Sequence, residues 1–204
     1  MKKKLLSALL VLILTLAIVS SAMASGSEGP VTMTQSGGTE SSYESIMEAI
    51  AATGEYQSTN RGQYVITLNE DRTEDVVIPA NRSIKIDLNG HRLTNVAGHT
   101  ITNNSTRTYI TDTSLEKTGT VDSILHGKGA VYNNINANIT LQGGTYTRSL
   151  EASASDENSG GNSWYVLKNF GTMSIQNGVT VKFSDENPGV YSSLIGNGWQ
   201  SWSQ

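Results

Sequence analysis

Two copies of one acidic tetrapeptide offer the residue types and the spacing best suited to chemistry in this chain of 204 residues. The sequence Ser-Asp-Glu-Asn occurs at 155–158 and again at 184–187, 29 residues further on. The copies supply four carboxylates and two amides, those of Asp156, Glu157, Asp185, Glu186, Asn158 and Asn187. Hard oxygen ligands of this kind suit Ca²⁺, although the same residue types also build exposed turns. Calcium binding by the four carboxylates, contact with a ligand or partner, and an ordinary polar turn all remain open.

Aromatic residues follow both tetrapeptides. Trp164 and Tyr165 come after the first copy and Tyr191 after the second. Flat rings beside carboxylates and amides suit a sugar polymer, because rings stack on pyranose faces while polar groups bind hydroxyls. The ligand-binding hypothesis therefore includes Asp156, Glu157, Asn158, Trp164, Tyr165, Asp185, Glu186, Asn187 and Tyr191, with an extracellular glycan or a host or cell-surface protein as the partner. For Trp199 and Trp202 we expect packing over the last part of the core.

Catalytic and cofactor signals are weak. The chain has no cysteine, which excludes thiolate zinc sites and cysteine nucleophiles, and its three histidines are widely spaced. No EF-hand loop or Gly-rich calcium nonapeptide surrounds the tetrapeptides. Glycan hydrolysis needs a positioned carboxylate pair, and a lyase needs a basic residue beside metal-binding acids on strands, whereas the acids here cluster in turns. We predict no catalytic residue and no cofactor, with Ca²⁺ as the metal candidate.

A repeated strand-turn-strand phrase positions these segments. It occurs at 83–94, 138–147 and 173–182, and in each copy apolar and polar residues alternate on both sides of a glycine. Alternation with period 2 predicts two strands joined at a corner, and repetition predicts a solenoid. Function in solenoids usually lies in the loops of one face, while the repeated residues hold the coils together.

An apolar residue two positions before an asparagine forms a second series. The asparagines are Asn103, Asn133, Asn169 and Asn197, separated by 30, 36 and 28 residues. Three short strands per coil of this length fit a parallel β-helix better than a propeller or a leucine-rich repeat. The asparagines form either an inward ladder of hydrogen-bonded amides or left-handed turn residues. Both roles are structural.

The N-terminal third has a different composition. Residues 1–24, with three early lysines, an apolar run and Ala-Met-Ala at the end, predict a cleaved signal peptide, with a membrane anchor as the alternative. Residues 25–40 predict a flexible lead-in, and residues 41–54 predict an amphipathic helix that caps the solenoid. Cleavage leaves a net charge of −7 (11 basic against 18 acidic side chains), which disfavours nucleic acid. We expect a secreted or cell-surface protein with no membrane contact after cleavage.

Three runs carry a family resemblance. Residues 66–71 read Ile-Thr-Leu-Asn-Glu-Asp, residues 77–94 include Ser-Ile-Lys-Ile-Asp-Leu-Asn-Gly, and residues 101–104 read Ile-Thr-Asn-Asn. They resemble the pectate-lyase-like right-handed parallel β-helix of secreted surface and adhesin-like proteins from Gram-positive gut bacteria. The resemblance covers roughly residues 43–197 and implies an all-β fold. We predict the β-helix over residues 62–204, continued or capped beyond residue 197, with the N-terminal helix as a cap.

The predicted function follows from this architecture. We predict a non-catalytic extracellular module, adhesin-like or glycan-binding, that is a fragment of a larger surface protein. The alternative is a carbohydrate-active enzyme, a polysaccharide lyase or glycoside hydrolase, acting on an acidic polysaccharide. Neither the repeats nor the resemblance identifies the ligand.

Overall fold

A computed structural model describes residues 29–36, 38–57, 62–125, 127–149, 164–183 and 192–198. The elements in these ranges, in chain order, are β1 (Val31–Gln35), β2 (Ser41–Tyr43), α1 (Ile46–Ala52), β3 (Tyr64–Leu68), β4 (Arg72–Thr73), β5 (Val76–Ile78), β6 (Ser83–Asp87), β7 (Arg92–Thr94), β8 (Ile101–Asn103), β9 (Arg107–Thr111), β10 (Thr120–Ser123), β11 (Val131–Asn133), β12 (Asn138–Leu141), β13 (Gly144–Arg148), β14 (Trp164–Asn169), β15 (Thr172–Ile175), β16 (Val179–Val181) and β17 (Ser192–Asn197).

The strands form three sheets. Sheet I has the order β15-β12-β9-β6-β3-β1-β2, sheet II has β16-β13-β10-β7-β4, and sheet III has β17-β14-β11-β8-β5. From β3 onward the chain visits sheets I, II and III in that order five times, and these later strands pair in parallel. None of the sheets closes on itself. The described part of the chain is therefore mostly β and solenoid-like, as the repeats predicted.

The core consists of columns in which one inward residue lies over its equivalent in the next coil. Ile66, Ile86, Ile110 and Leu141 are register partners on successive strands of sheet I, and each has no exposed surface. Because side chains alternate between the two faces of a strand, a period-2 pattern directs every second residue into this column. Burial of such apolar columns is the main stabilising contribution to the fold.

Glycine is required at the corner where β13 begins. Gly144 has φ of +89°, and a Cβ there would lie 2.7 Å from Cδ1 of Leu88. A side chain at this position would meet both backbone strain and a clash. The corner glycines Gly90 and Gly178 share the positive φ, at +84° and +89°.

The lead-in predicted for residues 25–40 is wrong in its second half. Residues 31–35 form β1, which pairs antiparallel with β3 and with β2. Val31 is fully buried and Met33 is 7% exposed, because their side chains reach the first coil of the core. An antiparallel strand thus covers the N-terminal edge of sheet I and satisfies backbone groups that would otherwise be exposed.

The helix is shorter than the predicted range 41–54. Residues Ser41–Tyr43 are strand β2, and α1 begins at Ile46 with Ser45 as its N-cap. The hydroxyl of Ser45 accepts a hydrogen bond from the N–H of Glu48 at 3.0 Å. Ser45 and Glu48 have the spacing of a capping box, which is a stronger start signal than Ser41 or Ser42.

The helix packs against the first coil through its apolar residues. Ile46, Ala49 and Ile50 are buried, and the carboxylate of Glu74, which follows β4, accepts from the N–H groups of Ile46 and Met47 at 3.0 and 3.2 Å. These bonds satisfy donors that the first turn leaves unpaired. Among the described residues, no helix is long and apolar enough to cross a bilayer, and residues 1–24 are not among them.

Candidate functional site

Most of the predicted ligand residues lie outside the described residues. These are Asp156, Glu157, Asn158, Asp185, Glu186, Asn187 and Tyr191, together with Trp199 and Trp202 of the predicted end cover. Trp164 is placed only as the first residue of β14, whereas Tyr165 is described with its side chain. Within the described ranges, no group of three or more acidic or histidine side chains is arranged to hold a metal ion.

The ring of Tyr165 lies flat over Gly196 on the outer surface of sheet III. Gly196 is in register with Lys168, an outward residue, and a Cβ on Gly196 would lie 2.6 Å from each of Cγ, Cδ1 and Cε1 of Tyr165. Equal distances to three consecutive ring atoms mean that the ring presents its face to the glycine. The opposite face of the ring is therefore turned away from the sheet.

A second ring packs against the same end of β17. A Cβ on Gly198 would lie 3.0 Å from Cε1 of Phe170. The ammonium of Lys168 lies 5.6 Å from the centre of the Phe170 ring and 5.8 Å from that of Tyr132, which is within the range of cation–π attraction. The sequence Gly-Asn-Gly at 196–198 thus leaves room for two aromatic side chains beside one lysine.

The rings continue toward the N-terminal coils. The Tyr132 and Phe170 ring centres are 5.4 Å apart, and Tyr132 stacks on His99 at 4.7 Å with an interplanar angle of 24°. We call His99, Tyr132, Tyr165, Lys168 and Phe170 the aromatic face. The Tyr132 ring contacts both His99 and Phe170, so Tyr165 is the member best placed to offer a flat surface to a ligand.

Positive charge lies close to the aromatic face. Burial, followed by the charges of Lys128 and Lys168, lowers the pKa of His99 to about 4. The N–H of Gly129 donates to Nδ1 of His99 at 2.8 Å, so the neutral ring carries its proton on Nε2. Among the described residues, no carboxylate lies within 4.0 Å of either lysine. The charge at this face is therefore carried by the lysines and not by the imidazole.

A second polar region lies along sheet II. It is a groove of about 440 Å³ lined by Asp71, Arg72, Thr73, Arg92, Thr94, Ile124 and Ser149. At its floor the guanidinium of Arg92 contacts the carboxylate of Asp122, which has no exposed surface. Ser149 donates to the same carboxylate from its N–H at 2.9 Å and from its hydroxyl at 2.5 Å. The carboxylate of Asp122 is engaged by these donors and is not available as a general base.

The other carboxylate of the groove is also engaged. Oδ1 of Asp71 accepts from the N–H of Arg92 at 2.8 Å and lies 3.5 Å from Nδ1 of His91. In contrast to Asp122, the Asp71 side chain is 73% exposed. The arginine, threonine and serine donors of the groove are likewise paired with protein groups, and its two carboxylates do not form a free pair.

The four predicted asparagines form a ladder inside the third sheet. Nδ2 of Asn103 donates to Oδ1 of Asn133 at 2.8 Å, Asn133 to Asn169 at 2.7 Å, and Asn169 to Asn197 at 2.9 Å. The four residues are register partners on β8, β11, β14 and β17. None of them has positive φ, so of the two interpretations the ladder is the one that the structure contains.

The sequence alone did not single out four members of the aromatic face, which are His99, Tyr132, Lys168 and Phe170. A signal was present for Tyr132 and Lys168, because each directly precedes a ladder asparagine. If the asparagine points inward, the residue before it must point outward. No comparable signal exists for the contact between Arg92 and Asp122, which depends on the register of β7 and β10.

Comparison with known proteins adds no identity. No family model, curated protein or solved structure matches this chain.

Proposed function

We propose that this chain is a non-catalytic extracellular module with a right-handed parallel β-helix fold, and that its aromatic face binds an acidic glycan. The observation that carries the proposal is the flat position of the Tyr165 ring over Gly196. A ring held with one face against a sheet presents its other face, and it loses no further side-chain entropy when a ligand binds. That is the arrangement that stacking on a pyranose requires.

The β-helix part of the proposal rests on the winding of the chain. Five passes through three parallel sheets around shared core columns are what coils of a β-helix produce. We infer right-handed winding from the family resemblance carried by residues 66–71, 77–94 and 101–104. Connections between parallel strands also strongly prefer the right-handed crossover.

Preference for an acidic glycan follows from the charges. The exported chain, from Ser25 onward, carries a net charge of −7, so it repels acidic polymers over most of its surface. At the aromatic face, Lys168 lies between two rings and has no carboxylate partner among the described residues. Its ammonium supplies the attraction that places a sugar carboxylate beside the Tyr165 ring.

Export is supported by the sequence alone. Three lysines, an apolar run and a small-residue site within residues 1–24 are the parts of a signal peptide. N-terminal sequencing of the protein recovered outside the cell tests this directly. We expect the exported chain to begin at Ser25, and a chain that retains residues 1–24 in the membrane would contradict export by cleavage.

Titration calorimetry tests glycan binding. The probes are an oligomer of a uronic acid and a neutral oligomer of the same length. We expect the wild type to bind only the uronic oligomer, and Tyr165→Ala to weaken binding roughly three- to tenfold, the factor that about 0.5–1.5 kcal/mol of ring stacking represents. Lys168→Ala should weaken binding and reduce its dependence on salt.

Tyr109→Ala is the matched control, because Tyr109 is a half-buried tyrosine of β9 on sheet I. It should bind as the wild type does. Equal binding of both oligomers, or an unchanged affinity in Tyr165→Ala, would reject the aromatic face as the site. Binding to a purified cell-surface protein in place of both oligomers would reassign the ligand class.

A carbohydrate-active enzyme is the second candidate, and the groove of sheet II favours it. Two aspartates, Asp71 and Asp122, flank Arg92 there, and an arginine beside acids is an element of polysaccharide lyase sites. The test is release of new reducing ends or unsaturated products from an acidic polysaccharide. Turnover that disappears in Asp71→Asn, or in the pair Asp156→Ala and Asp185→Ala, would establish this alternative over the binding module.

A further inference from the structure

His99 and Tyr165 occupy equivalent positions of sheet III, two coils apart. His99 lies two residues before Ile101 of β8. Tyr165 lies two residues before Leu167 of β14. Both Ile101 and Leu167 are register partners of Val131, on the strand between them. Because neighbouring strands of a sheet lie about 4.8 Å apart, the two positions are about 10 Å apart along the solenoid axis.

The rings at these two positions pack in the same way. The ring of His99 stacks on that of Tyr132, which lies one coil further on and three positions further along the strand. The ring of Tyr165 lies over Gly196, which is displaced from it by the same two steps. Both rings therefore lean in one direction on the outer surface of sheet III. A ligand that extends along the solenoid axis can contact both.

The imidazole of His99 is held in one orientation and in one tautomer. The N–H of Gly129 donates to its Nδ1 at 2.8 Å, and the stack on Tyr132 fixes the plane of the ring. The neutral ring then carries its proton on Nε2. His99 keeps some exposed surface, and in the described part of the chain no group accepts a hydrogen bond from Nε2. The Nε2–H is therefore a positioned donor that a ligand can use.

Two lysines keep this donor uncharged at neutral pH. Lys128 directly precedes Gly129, and Lys168 is on β14. Burial and the charges of both ammonium groups lower the pKa of His99 to about 4. The aromatic face, with Lys128 beside it, thus has two charged donors and one neutral donor. The ammonium groups attract carboxylates, whereas a neutral N–H suits a hydroxyl or a ring oxygen.

We propose that His99 is a specificity-determining residue of the aromatic face, and that an acidic glycan lies along the solenoid axis from the Tyr165 ring to Nε2–H of His99. The inference rests on the proposed binding of an acidic glycan. One sugar stacks on Tyr165, Lys168 attracts a carboxylate, and Nε2–H of His99 donates to a neutral oxygen of a sugar two coils away. A single pyranose does not span the distance of about 10 Å. The site therefore selects an oligomer over a monosaccharide.

Two substitutions of His99 separate the donor from the other roles of the ring. His99→Asn keeps an acceptor for the N–H of Gly129, and His99→Phe keeps a ring on Tyr132, but both lose Nε2–H. Calorimetry with the uronic oligomer should show a loss of affinity of roughly three- to tenfold in both. The loss should be equal at low and high salt, because the donor is neutral, unlike that of Lys168→Ala. Thermal melting checks that each variant is folded.

A monosaccharide tests the direction of the ligand. Titration of the uronic acid monomer, followed by NMR, should give the same affinity in both His99 variants as in the wild type. Tyr165→Ala should bind the monomer more weakly, because the stacking sugar is present in both probes. His91→Asn is the matched control, since His91 precedes β7 of sheet II and its imidazole lies beside Asp71. It should bind monomer and oligomer as the wild type does.

The results distinguish this inference from the proposed function. Unchanged oligomer affinity in His99→Phe would mean that only the ring packing matters, and in His99→Asn that only the acceptor for Gly129 matters. Either result, or an equal loss for monomer and oligomer, overturns the role of Nε2–H while Tyr165→Ala still weakens binding. A wild type that binds no uronic oligomer would reject the proposed function and this inference with it.

Discussion

Tyr165 and Gly196 lie so close that a single methyl group would displace the tyrosine ring. A Cβ on Gly196 would be 2.6 Å from three ring carbons, far inside van der Waals contact. Because Gly196 points outward, its substitution leaves the core columns unchanged while it moves the ring. A substitution of Gly196 therefore changes the position of the ring while Tyr165 itself is kept.

Gly196→Ala should therefore weaken glycan binding although Tyr165 is still present. We expect affinity for the uronic oligomer to fall about as far as in Tyr165→Ala, roughly three- to tenfold. Calorimetry measures the affinity, and thermal melting checks the fold. Gly54→Ala is the control, since the nearest atom to its Cβ is the Tyr64 hydroxyl at 3.3 Å. Unchanged binding in Gly196→Ala would show that the flat position of the ring is not needed.

Asn133→Ala should destabilise the fold more than Asn197→Ala. Asn133 is fully buried, accepts from Asn103 and donates to Asn169, whereas Asn197 is the exposed end of the ladder. Loss of a buried amide leaves its partners unsatisfied and costs about 1–3 kcal/mol, while loss at the exposed end costs about 0.5 kcal/mol or less. Urea unfolding measures both free energies. Equal losses would mean that the ladder carries no buried polar network.

His99 should make stability depend on pH between about 6.5 and 4. Burial and the charges of Lys128 and Lys168 lower the pKa of His99 to about 4 in the folded state, from the 6.5 that is usual for histidine. As the pH falls through this window, the unfolded chain takes up a proton that the folded chain does not. The stability that the neutral ring contributes is therefore complete above pH 6.5 and is lost as the pH approaches 4.

Urea unfolding at several pH values measures this effect. His99→Asn keeps an acceptor for the N–H of Gly129 and should flatten the slope in this window. A further loss below about pH 4 should remain in this variant. It arises because burial raises the pKa of Asp112 while hydrogen bonds from Ser114, Gly119 and Gly90 lower it by more. A slope that His99→Asn leaves intact would assign the titration to another group.

The acidic tetrapeptides can be tested by metal removal. Because no metal-binding motif surrounds Asp156 and Asp185, we expect the melting temperature to be the same with a chelator as with added Ca²⁺. Differential scanning calorimetry on the chain from Ser25 measures the midpoint. A midpoint that rises with Ca²⁺ in the wild type, and no longer rises when both aspartates are replaced by alanine, would establish a calcium site.

The repeats could be predicted because residues at equivalent positions of successive coils are neighbours in a solenoid. Asn103 and Asn133 are separated by one coil, so an alternating pattern around each predicted that they are neighbours. Strand β1 was missed because only Val31 and Met33 signal it within a Ser- and Gly-rich segment, and its partner β3 lies about 30 residues later. Short strands are stabilised by the edge that they cover, which local sequence does not encode.

The candidate site was predictable only in part. The stacking role given to Tyr165 came from its residue type, but its position over Gly196 depends on how the neighbouring strands β14 and β17 align. The same holds for Arg92 and Asp122, which are 30 residues apart and meet because β7 and β10 are neighbours. Contacts of this kind depend on the number of residues in each coil, and that number varies between repeats.

The antiparallel strand β1 delays the opening of the first coil. Each coil contacts mainly its neighbours, so opening must begin at an end. At the N-terminal end, five paired residues of β1 and the packing of α1 must be undone before the first coil separates. A protease or a pulling force that acts from the N-terminus therefore meets β1 and α1 first, and the coil that begins at residue 64 opens only after both have separated.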